Sequence, residues 1–360
     1  MELTHRQRIL NALYGKEVDR TPWSPFLAYY WDHLPLETRE QGQLEYLKKM
    51  GADPILRGFH NCYETKYENC DITEKWIGNK RYKTFDTKVG KLVSEYSAAE
   101  NAKTTFLTGH PVKDEEDFKV LQYIYENMTF EDMTSRFEAE KKKIGEDGLL
   151  LPAIGVWGKT AFQSLVEYWC GTENLVYALA DFPETVEECL AVMREKDMET
   201  VNMSVKSSAD AFMFFEDSST TNISPSLFSQ YTAPEIKEWS DALHSNGRLL
   251  IHHACGHLKD IIPQMCEAGI DMIESMSPPP TGNIDITDAA KLMPDRVGII
   301  GGIEPVFFRS CTIEQLEARV LELLEGMRGR RYILANSDSC PPDVEYEKFL
   351  LVSETVKKFK

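Results

Sequence analysis

The sequence has no apolar run that approaches the roughly 20 residues needed by a membrane-spanning helix. Its first residues, Met-Glu-Leu-Thr-His-Arg-Gln, contain no apolar signal region. The eight cysteines follow no framework of spacings, which favours free thiols or metal ligands over disulfides. We therefore expect a cytoplasmic protein that has no membrane partner.

Positive charge is also scarce. The chain has 40 lysines and arginines against 58 aspartates and glutamates, which gives a formal net charge of −18. Such a surface repels nucleic acid and anionic lipid, so neither is an expected partner. With 360 residues, 42% of them hydrophobic, the chain can bury a large core, either as one α/β barrel or as two smaller domains.

Strand and helix patterns alternate regularly from residue 149 onwards. The predicted strands cover residues 149–156, 211–215, 249–253, 272–276, 297–303 and 331–335, and earlier strands are expected after Pro22 and at residues 52–57. This alternation predicts a parallel sheet, and the number of units favours closure into a (β/α)8 TIM barrel over an open sheet.

The N-terminal part of the chain departs from this rhythm. Helices are expected over residues 4–14 and 36–50, and an alternating pattern broken by Gly78-Asn79 predicts an antiparallel hairpin at residues 63–97. The acidic run at residues 114–117 indicates a helix start rather than a metal site. We expect residues 1–360 to form a single α/β barrel domain with an N-terminal helical extension and this inserted hairpin.

Two of the predicted barrel strands are followed by residue types that can bind metals. In Arg248-Leu-Leu-Ile-His-His-Ala-Cys-Gly256, His253 and Cys255 are two positions apart and so project from the same face of the strand. Imidazole nitrogen and thiolate sulfur are ligands that Zn²⁺ prefers. Cys340, after the last predicted strand, offers a second sulfur. Alternatively, Cys255 is a buried small hydrophobic residue and His253 is a hydrogen-bonded residue at the strand end.

Several motifs resemble those of the uroporphyrinogen decarboxylase superfamily. They are Thr-His-Arg-Gln-Arg-Ile-Leu-Asn-Ala-Leu followed by Val-Asp-Arg-Thr-Pro-Trp, then Phe215-Glu-Asp217, His252-His-Ala-Cys-Gly256, Ile299-Ile-Gly-Gly-Ile303 and Asp338-Ser-Cys-Pro-Pro. The likeness spans nearly the whole chain and implies a TIM barrel. Decarboxylases of this superfamily carry an arginine-rich motif that holds porphyrinogen carboxylates, whereas residues 22–31 here contain no arginine. The chain therefore resembles the corrinoid-dependent methyltransferase branch, and its methoxyarene demethylating enzymes in particular.

This resemblance implies a Zn²⁺ ion held by His253, Cys255 and Cys340. Because Cys340 directly precedes a proline, unlike the late cysteine of the thiol-directed enzymes, Asp338 is the alternative third ligand.

The resemblance also implies a carboxylate at the site. Glu216 is the candidate for fourth ligand or general acid, and Glu274 is the competing candidate. Alternatively, Glu216 orients His253 from outside the metal shell.

The resemblance implies a zinc-dependent methyltransferase that moves a methyl group from a methoxylated aromatic or other small-molecule donor to a Co(I) corrinoid. No Asp-x-His-x-x-Gly corrinoid motif occurs in the chain, so the corrinoid is expected on a partner carrier protein. The sequence is compatible with a homodimer. The alternatives are methyl transfer from a methylcorrinoid to a thiol or a tetrahydrofolate, a porphyrinogen decarboxylase-like activity, and a barrel that only binds a ligand.

Aromatic residues are the candidates for binding the methyl donor. Tyr29, Tyr30 and Trp31 follow the first predicted strand, and with Trp157 and Phe162 we expect them to wall a mainly apolar pocket for a methoxylated ring. Packing in the core or in a lid is the alternative role for the first three.

Overall fold

The computed structural model describes residues 2–99 and 104–359. The strands are β1 (Ile55–Arg57), β2 (Tyr63–Tyr67), β3 (Cys70–Ile77), β4 (Lys80–Thr87), β5 (Gly90–Ala98), β6 (Thr105–Gly109), β7 (Met128–Asp132), β8 (Leu149–Leu151), β9 (Ala211–Glu216), β10 (Leu249–Ala254), β11 (Met272–Glu274), β12 (Gly298–Ile303) and β13 (Tyr332–Asn336).

The helices are α1 (His5–Leu13), α2 (Tyr29–His33), α3 (Leu36–Glu40), α4 (Gln43–Lys49), α5 (Glu115–Glu126), α6 (Thr134–Ile144), α7 (Ala161–Ser164), α8 (Thr172–Asp181), α9 (Pro183–Ser204), α10 (Pro225–Leu227), α11 (Ala233–Ser245), α12 (Ile262–Glu267), α13 (Ile286–Leu292), α14 (Pro305–Ser310), α15 (Ile313–Gly326) and α16 (Tyr346–Lys358). A 3-10 turn covers Gly145–Asp147, and π-helical segments cover Leu165–Trp169 and Phe228–Thr232.

The chain forms two compact units. The first, the barrel unit, comprises Met1–His60, Ser135–Ala153 and Ser208–Lys360, and the second, the insertion unit, comprises Asn61–Thr134 and Ile154–Ser207. The predicted barrel strands lie in the first unit, apart from residues 154–156 of the strand expected at 149–156, and the predicted insertion lies in the second.

Parallel chain segments close into a ring in the barrel unit. Trp23 forms a parallel bridge with Leu334 in β13, and the amide of Asp53 donates to the carbonyl of Trp23 at 2.6 Å. β1 pairs with β8, a parallel bridge joins Ala153 to Met213 in β9, and β9 to β13 form a five-stranded parallel sheet in chain order. These segments confirm the predicted (β/α)8 barrel, including its six C-terminal strands.

Large aliphatic side chains fill the interior of this ring. Alternate residues of the strands point inward, because side chains of a strand alternate between its faces. The interior residues include Leu149, Leu151, Met213, Ile251, Met272, Ile300 and Ile333. Ile9 and Leu13 of α1 belong to the same cluster, so the N-terminal extension packs on the barrel core.

A buried carboxylate fixes the N-terminal extension. Asp53 accepts hydrogen bonds from Arg8 and Arg20, both at 2.7 Å, and from the backbone amide of Trp23 at 3.0 Å, and it contacts His5 at 2.8 Å. Burial alone would raise the pKa of Asp53, but the hydrogen bonds from His5 and Arg20 and the arginine charges lower it to about 2. The pair of arginines therefore holds α1 against the start of β1.

The insertion unit contains antiparallel sheets. β3, β4, β5 and β6 form a four-stranded sheet in chain order, and β2 pairs with β7. The predicted hairpin at residues 63–97 is thus divided between two sheets: β2 pairs with β7, and the residues from Cys70 onwards belong to the four-stranded sheet that extends to Gly109. Helices α5 and α9 pack against each other within the same unit.

One local prediction differs from the structure. The helix expected over residues 36–50 is interrupted, because Gly42 adopts φ 86° and begins a second helix at Gln43. The segment Tyr29–His33, which follows the first predicted strand, forms a short helix. No helix in the described part of the chain is long and apolar enough to span a membrane.

Candidate metal centre

His253, Cys255 and Asp338 come together at the C-terminal end of the barrel. Their candidate ligand atoms all lie within 4.8 Å of one another. The Nε2 atom of His253 is 3.3 Å from the Cys255 sulfur and 3.7 Å from an oxygen of Asp338. His253 lies in β10, Cys255 directly follows it, and Asp338 lies in the loop after β13. The structure therefore brings together the predicted histidine and cysteine on one face of β10.

Cys340 lies outside this group. Its side chain is fully buried and its sulfur is 3.7 Å from the carbonyl oxygen of Pro341. Its amide donates to the carbonyl of Phe26 at 3.1 Å, and its own carbonyl accepts from the amide of Tyr30 at 3.0 Å. Burial raises the pKa of the Cys340 thiol well above its usual range. The alternative ligand named from the sequence, Asp338, stands beside His253 instead.

Asn336 ties the ligand loop to the segment after the first strand. Its side-chain oxygen accepts from the amide of Phe26 and its side-chain nitrogen donates to the carbonyl of Phe26, both at 2.9 Å. The same nitrogen donates to the carbonyl of Asp338 at 2.5 Å. Together with the two backbone bonds of Cys340, these contacts hold the loop that carries Asp338 against residues 26–30.

Glu274 connects the metal cluster to a buried arginine. One of its oxygens is 2.8 Å from Nδ1 of His253 and the other accepts from Nε of Arg57 at 2.7 Å. Glu274 is 1% exposed. Burial would raise the pKa of Glu274, but the charge of Arg57 and the contact with His253 lower it. Ionised Glu274 therefore accepts the Nδ1 proton of His253, which leaves Nε2 available to a metal.

Glu216 lies on the other face of the sheet. Its oxygen is 3.2 Å from Nε2 of His252 and accepts from the hydroxyl of Ser218 at 3.1 Å. The ring of His252 stacks on Phe214 at 4.1 Å. Alternation in β9 accounts for this, since Phe215 faces the interior and its neighbour Glu216 faces the helices. The structure therefore brings Glu274, and not Glu216, to His253.

Aromatic rings surround the histidine. The rings of Phe26 and Phe215 lie 5.3 Å and 5.2 Å from the ring of His253, and the guanidinium of Arg57 lies over Phe26 at 5.5 Å. The hydroxyl of Ser275 lies 3.6 Å from the Cys255 sulfur. None of Phe26, Arg57, Phe215 and Ser275 was a candidate from the sequence. Phe215 could have been identified from the sequence, because it occupies the same alternate positions of β9 as the residues that point into the barrel core.

The predicted donor-binding residues of the barrel unit occupy different environments. Tyr29 is 44% exposed, whereas Tyr30 is buried and shares a hydrogen bond with Tyr46 at 3.1 Å. Trp31 packs against Tyr46 and lines a cavity of about 170 Å³. The other residues that line this cavity include Phe26, Arg57 and Phe59.

Trp157 and Phe162 lie in the insertion unit. Trp157 packs against Tyr168 and Trp169 at 5.5 Å and 5.7 Å between ring centres. Phe162 is 1% exposed and contributes to the interior of that unit.

Burial and neighbouring ionisable groups shift the pKa values of the three candidate ligands. Burial lowers the pKa of His253, but Cys255, Asp338 and Glu274 around it raise the pKa well above its usual value. Burial raises the pKa of the Cys255 thiol, and the charge of His253 partly offsets this. In Asp338, burial raises the pKa, and the hydrogen bond with His253 brings it below its usual value.

The donor set fits a zinc ion. One imidazole nitrogen, one thiolate and one carboxylate are all ligand types found at Zn²⁺ sites, and three protein ligands with one open position are typical of catalytic zinc. The orientation of His253 by Glu274 is the support that metal-binding histidines usually have. These three residues could therefore hold a metal ion.

Comparisons with known proteins agree with this fold. The profile of the uroporphyrinogen decarboxylase (URO-D) family matches residues 109–359. A methyltransferase from Methanosarcina mazei has a similar structure, with a TM-score of 0.67, 15% identity and 99% of each chain covered. A B12-independent methionine synthase from a Shewanella species aligns with a TM-score of 0.48, 10% identity, and 94% of this chain and 97% of that chain covered. No curated protein matches the chain.

Proposed function

The chain belongs to the uroporphyrinogen decarboxylase family, and within it we propose that this protein is a zinc-dependent methyltransferase. Its methyl donor is a methoxylated aromatic compound, and its methyl acceptor is a Co(I) corrinoid carried by a partner protein. The observation that carries this proposal is the cluster of His253, Cys255 and Asp338 at the C-terminal end of the barrel, where TIM-barrel enzymes have their active sites. A methyltransferase from Methanosarcina mazei has the same fold.

His253, Cys255 and Asp338 would hold the zinc ion. When bound there, zinc supplies a Lewis acid that draws electron density from the ether oxygen of the methyl donor and so makes the phenolate a better leaving group. Glu274 keeps His253 in the tautomer that presents Nε2, and Arg57 keeps Glu274 ionised.

Apolar rings beside His253 support an aromatic donor. Phe26 and Phe215 flank the histidine, and the cavity that Trp31, Phe26 and Phe59 line is adjacent to Arg57. A flat ring placed against these side chains buries apolar surface and keeps bulk water from the ether oxygen. Tyr29 lies in the same short helix as Trp31 and is exposed, so it is available to the donor as well.

The charge of the site argues against a porphyrinogen substrate. A substrate with many carboxylates needs several cations, and the arginine beside the candidate zinc site is already paired with Glu274. Residues 22–31 add no arginine. Methyl transfer therefore agrees better with the residues at the site than decarboxylation does.

Two measurements test this proposal together. Protein purified without chelators should contain about one zinc per chain, as a single three-ligand site requires. With a methoxyphenol and a reduced corrinoid carrier protein, absorbance should report methylation of the cobalt. Full activity of metal-free protein would refute the zinc assignment, and equally fast turnover with free cobalamin would refute the need for a carrier protein.

A further inference from the structure

A second cleft lies entirely within the insertion unit. It has a volume of about 320 Å³ and lies between one face of the β3–β6 sheet and a group of aromatic side chains. The aromatic side consists of Trp157, Tyr168 and Trp169, and Phe85 of β4 lines the cleft from the sheet. The ring centres of Phe85 and Trp169 are 5.1 Å apart, and Trp157 packs against Trp169 nearly perpendicularly at 79°. This volume is in the range of small-molecule sites.

The sheet side of the cleft carries an excess of positive charge. Arg81, Lys83 and Glu74 line it and sum to one positive charge. Arg81 lies 3.3 Å from Glu74 and over the ring of Tyr96 at 4.3 Å. The ammonium of Lys83 has no hydrogen bond or ion pair with any described residue, and it lies over the rings of Phe85 at 5.0 Å and Trp157 at 5.2 Å. Burial lowers the pKa of Lys83, and the charge of Glu74 offsets this only in part.

The cleft is also short of hydrogen-bond acceptors. The buried Nε–H group of Arg81 and the buried indole N–H group of Trp157 have no hydrogen-bond partner among residues 2–99 and 104–359. A buried donor without an acceptor is energetically unfavourable, and native proteins leave few donors in this state. Two such donors and one ammonium without an acceptor around a single cavity match a ligand that brings negative charge.

We propose that this cleft binds a small aromatic carboxylate, with its carboxylate at Lys83 and Arg81 and its ring against Trp157. The carboxylate supplies the missing acceptor and neutralises the single excess charge. The ring fits the aromatic wall, where it gains contact area with Trp157 and Trp169. This site goes beyond the methyl transfer proposed above, because none of its side chains belongs to the zinc cluster.

Benzoate is the probe for this site, with benzamide as the neutral ring of the same shape and acetate as the anion without a ring. In protein labelled with ¹⁵N at its six tryptophans, benzoate should shift the indole N–H signals of Trp157 and Trp169 and leave that of Trp239 unchanged. Benzoate should bind at least about tenfold more tightly than either analogue, a difference of about 1.4 kcal/mol. The measurement needs no zinc and no corrinoid, so its failure is separate from failure of the proposed methyltransferase.

The variant that tests the charge is Lys83→Met, which keeps a long apolar side chain and removes the ammonium. Benzoate affinity should fall at least about tenfold, while benzamide affinity stays the same. Lys75→Met is the matched control, because Lys75 lies on the neighbouring strand β3 but is exposed and does not line the cleft. Trp157→Phe should weaken both ring compounds, and circular dichroism checks that each variant is folded. Equal binding of benzoate and benzamide, or shifts confined to tryptophans outside the cleft, would overturn the proposal.

Discussion

Replacing Glu274 with glutamine keeps the size of the side chain but removes the charge shared by Arg57 and His253. The carboxylate accepts one hydrogen bond from each of these groups, at 2.7 Å and 2.8 Å. A glutamine amide has one acceptor oxygen and one donor nitrogen, so it can satisfy only one of the two. The remaining donor, from either Arg57 or His253, then faces the N–H group of the glutamine amide in a buried site.

Two separate losses follow from this geometry. The side chains of Arg57 and Glu274 are 2% and 1% exposed, and breaking a buried ion pair by neutralising one partner costs about 3–5 kcal/mol. The free energy of unfolding of Glu274→Gln should fall by about this amount. Loss of the acceptor at Nδ1 of His253 should weaken zinc binding by about 10-fold to 100-fold, as for other groups that orient a metal-binding histidine.

The assay pairs two buried glutamates on β9 and β11, the two strands that flank β10. Zinc affinity is measured by competition with a chelating dye, and stability is measured by urea unfolding. Glu216→Gln is the matched control, because Glu216 is also 1% exposed and also lies beside a histidine, His252, but on the outer face of the sheet. The control is expected to retain zinc affinity within about twofold, whatever it does to stability.

The reasoning is refuted if the two variants show the reverse of the expected effects on zinc affinity. Wild-type zinc affinity in Glu274→Gln together with loss of zinc in Glu216→Gln would show that Glu216 supports the metal. A fall in stability without any change in zinc affinity would show that Glu274 only neutralises Arg57.

Four further outcomes are expected. Cys255→Ala should lose zinc and methyl transfer with an unchanged circular dichroism spectrum, whereas Cys340→Ala should keep its zinc; global unfolding of the first variant would indicate a structural metal. Trp31→Leu should raise KM for a methoxyphenol about threefold to tenfold, while Trp76→Leu, an exposed tryptophan of the insertion unit, should not. The lowered pKa of Asp53, about 2 against 3.8, means that this carboxylate contributes about 2 kcal/mol above pH 4 that is lost as the pH falls towards 2; acid unfolding of Asp53→Asn should lack that part of the pH dependence. Methylation of the corrinoid carrier should slow as salt is added, because the acidic surface of this protein would steer the encounter; a rate independent of salt would exclude such steering.

The barrel was predictable because its strands have a simple signal. Each is a short apolar run that ends at a polar or metal-ligating residue, and the run at residues 249–253 carries His253 and Cys255 with the spacing of one strand face. This spacing depends only on local backbone geometry. The interrupted helix at Gly42 was less predictable, since a helix tolerates some glycines and ends at others.

The rest of the site depends on the pairing register of the strands, which a single sequence does not specify. His253 pairs with Glu274 on one side and with Phe215 on the other, so these three residues share the inward face. Glu216 pairs with Ala254 and lies on the outward face. Proximity to a strand end was therefore not enough to choose between the two glutamates. The position of Asp338 is set by loop hydrogen bonds, which have no periodic signal.

The hydrogen bonds of Asn336 and Cys340 have a consequence for evolution and engineering of the site. They join the loop that carries Asp338 to Phe26 and Tyr30, which belong to the segment proposed to receive the methyl donor. A substitution that reshapes this segment for a bulkier donor also displaces the loop of the third ligand. Under the proposed function, donor preference and metal affinity should therefore be thermodynamically coupled, and mutations selected for one should change the other non-additively.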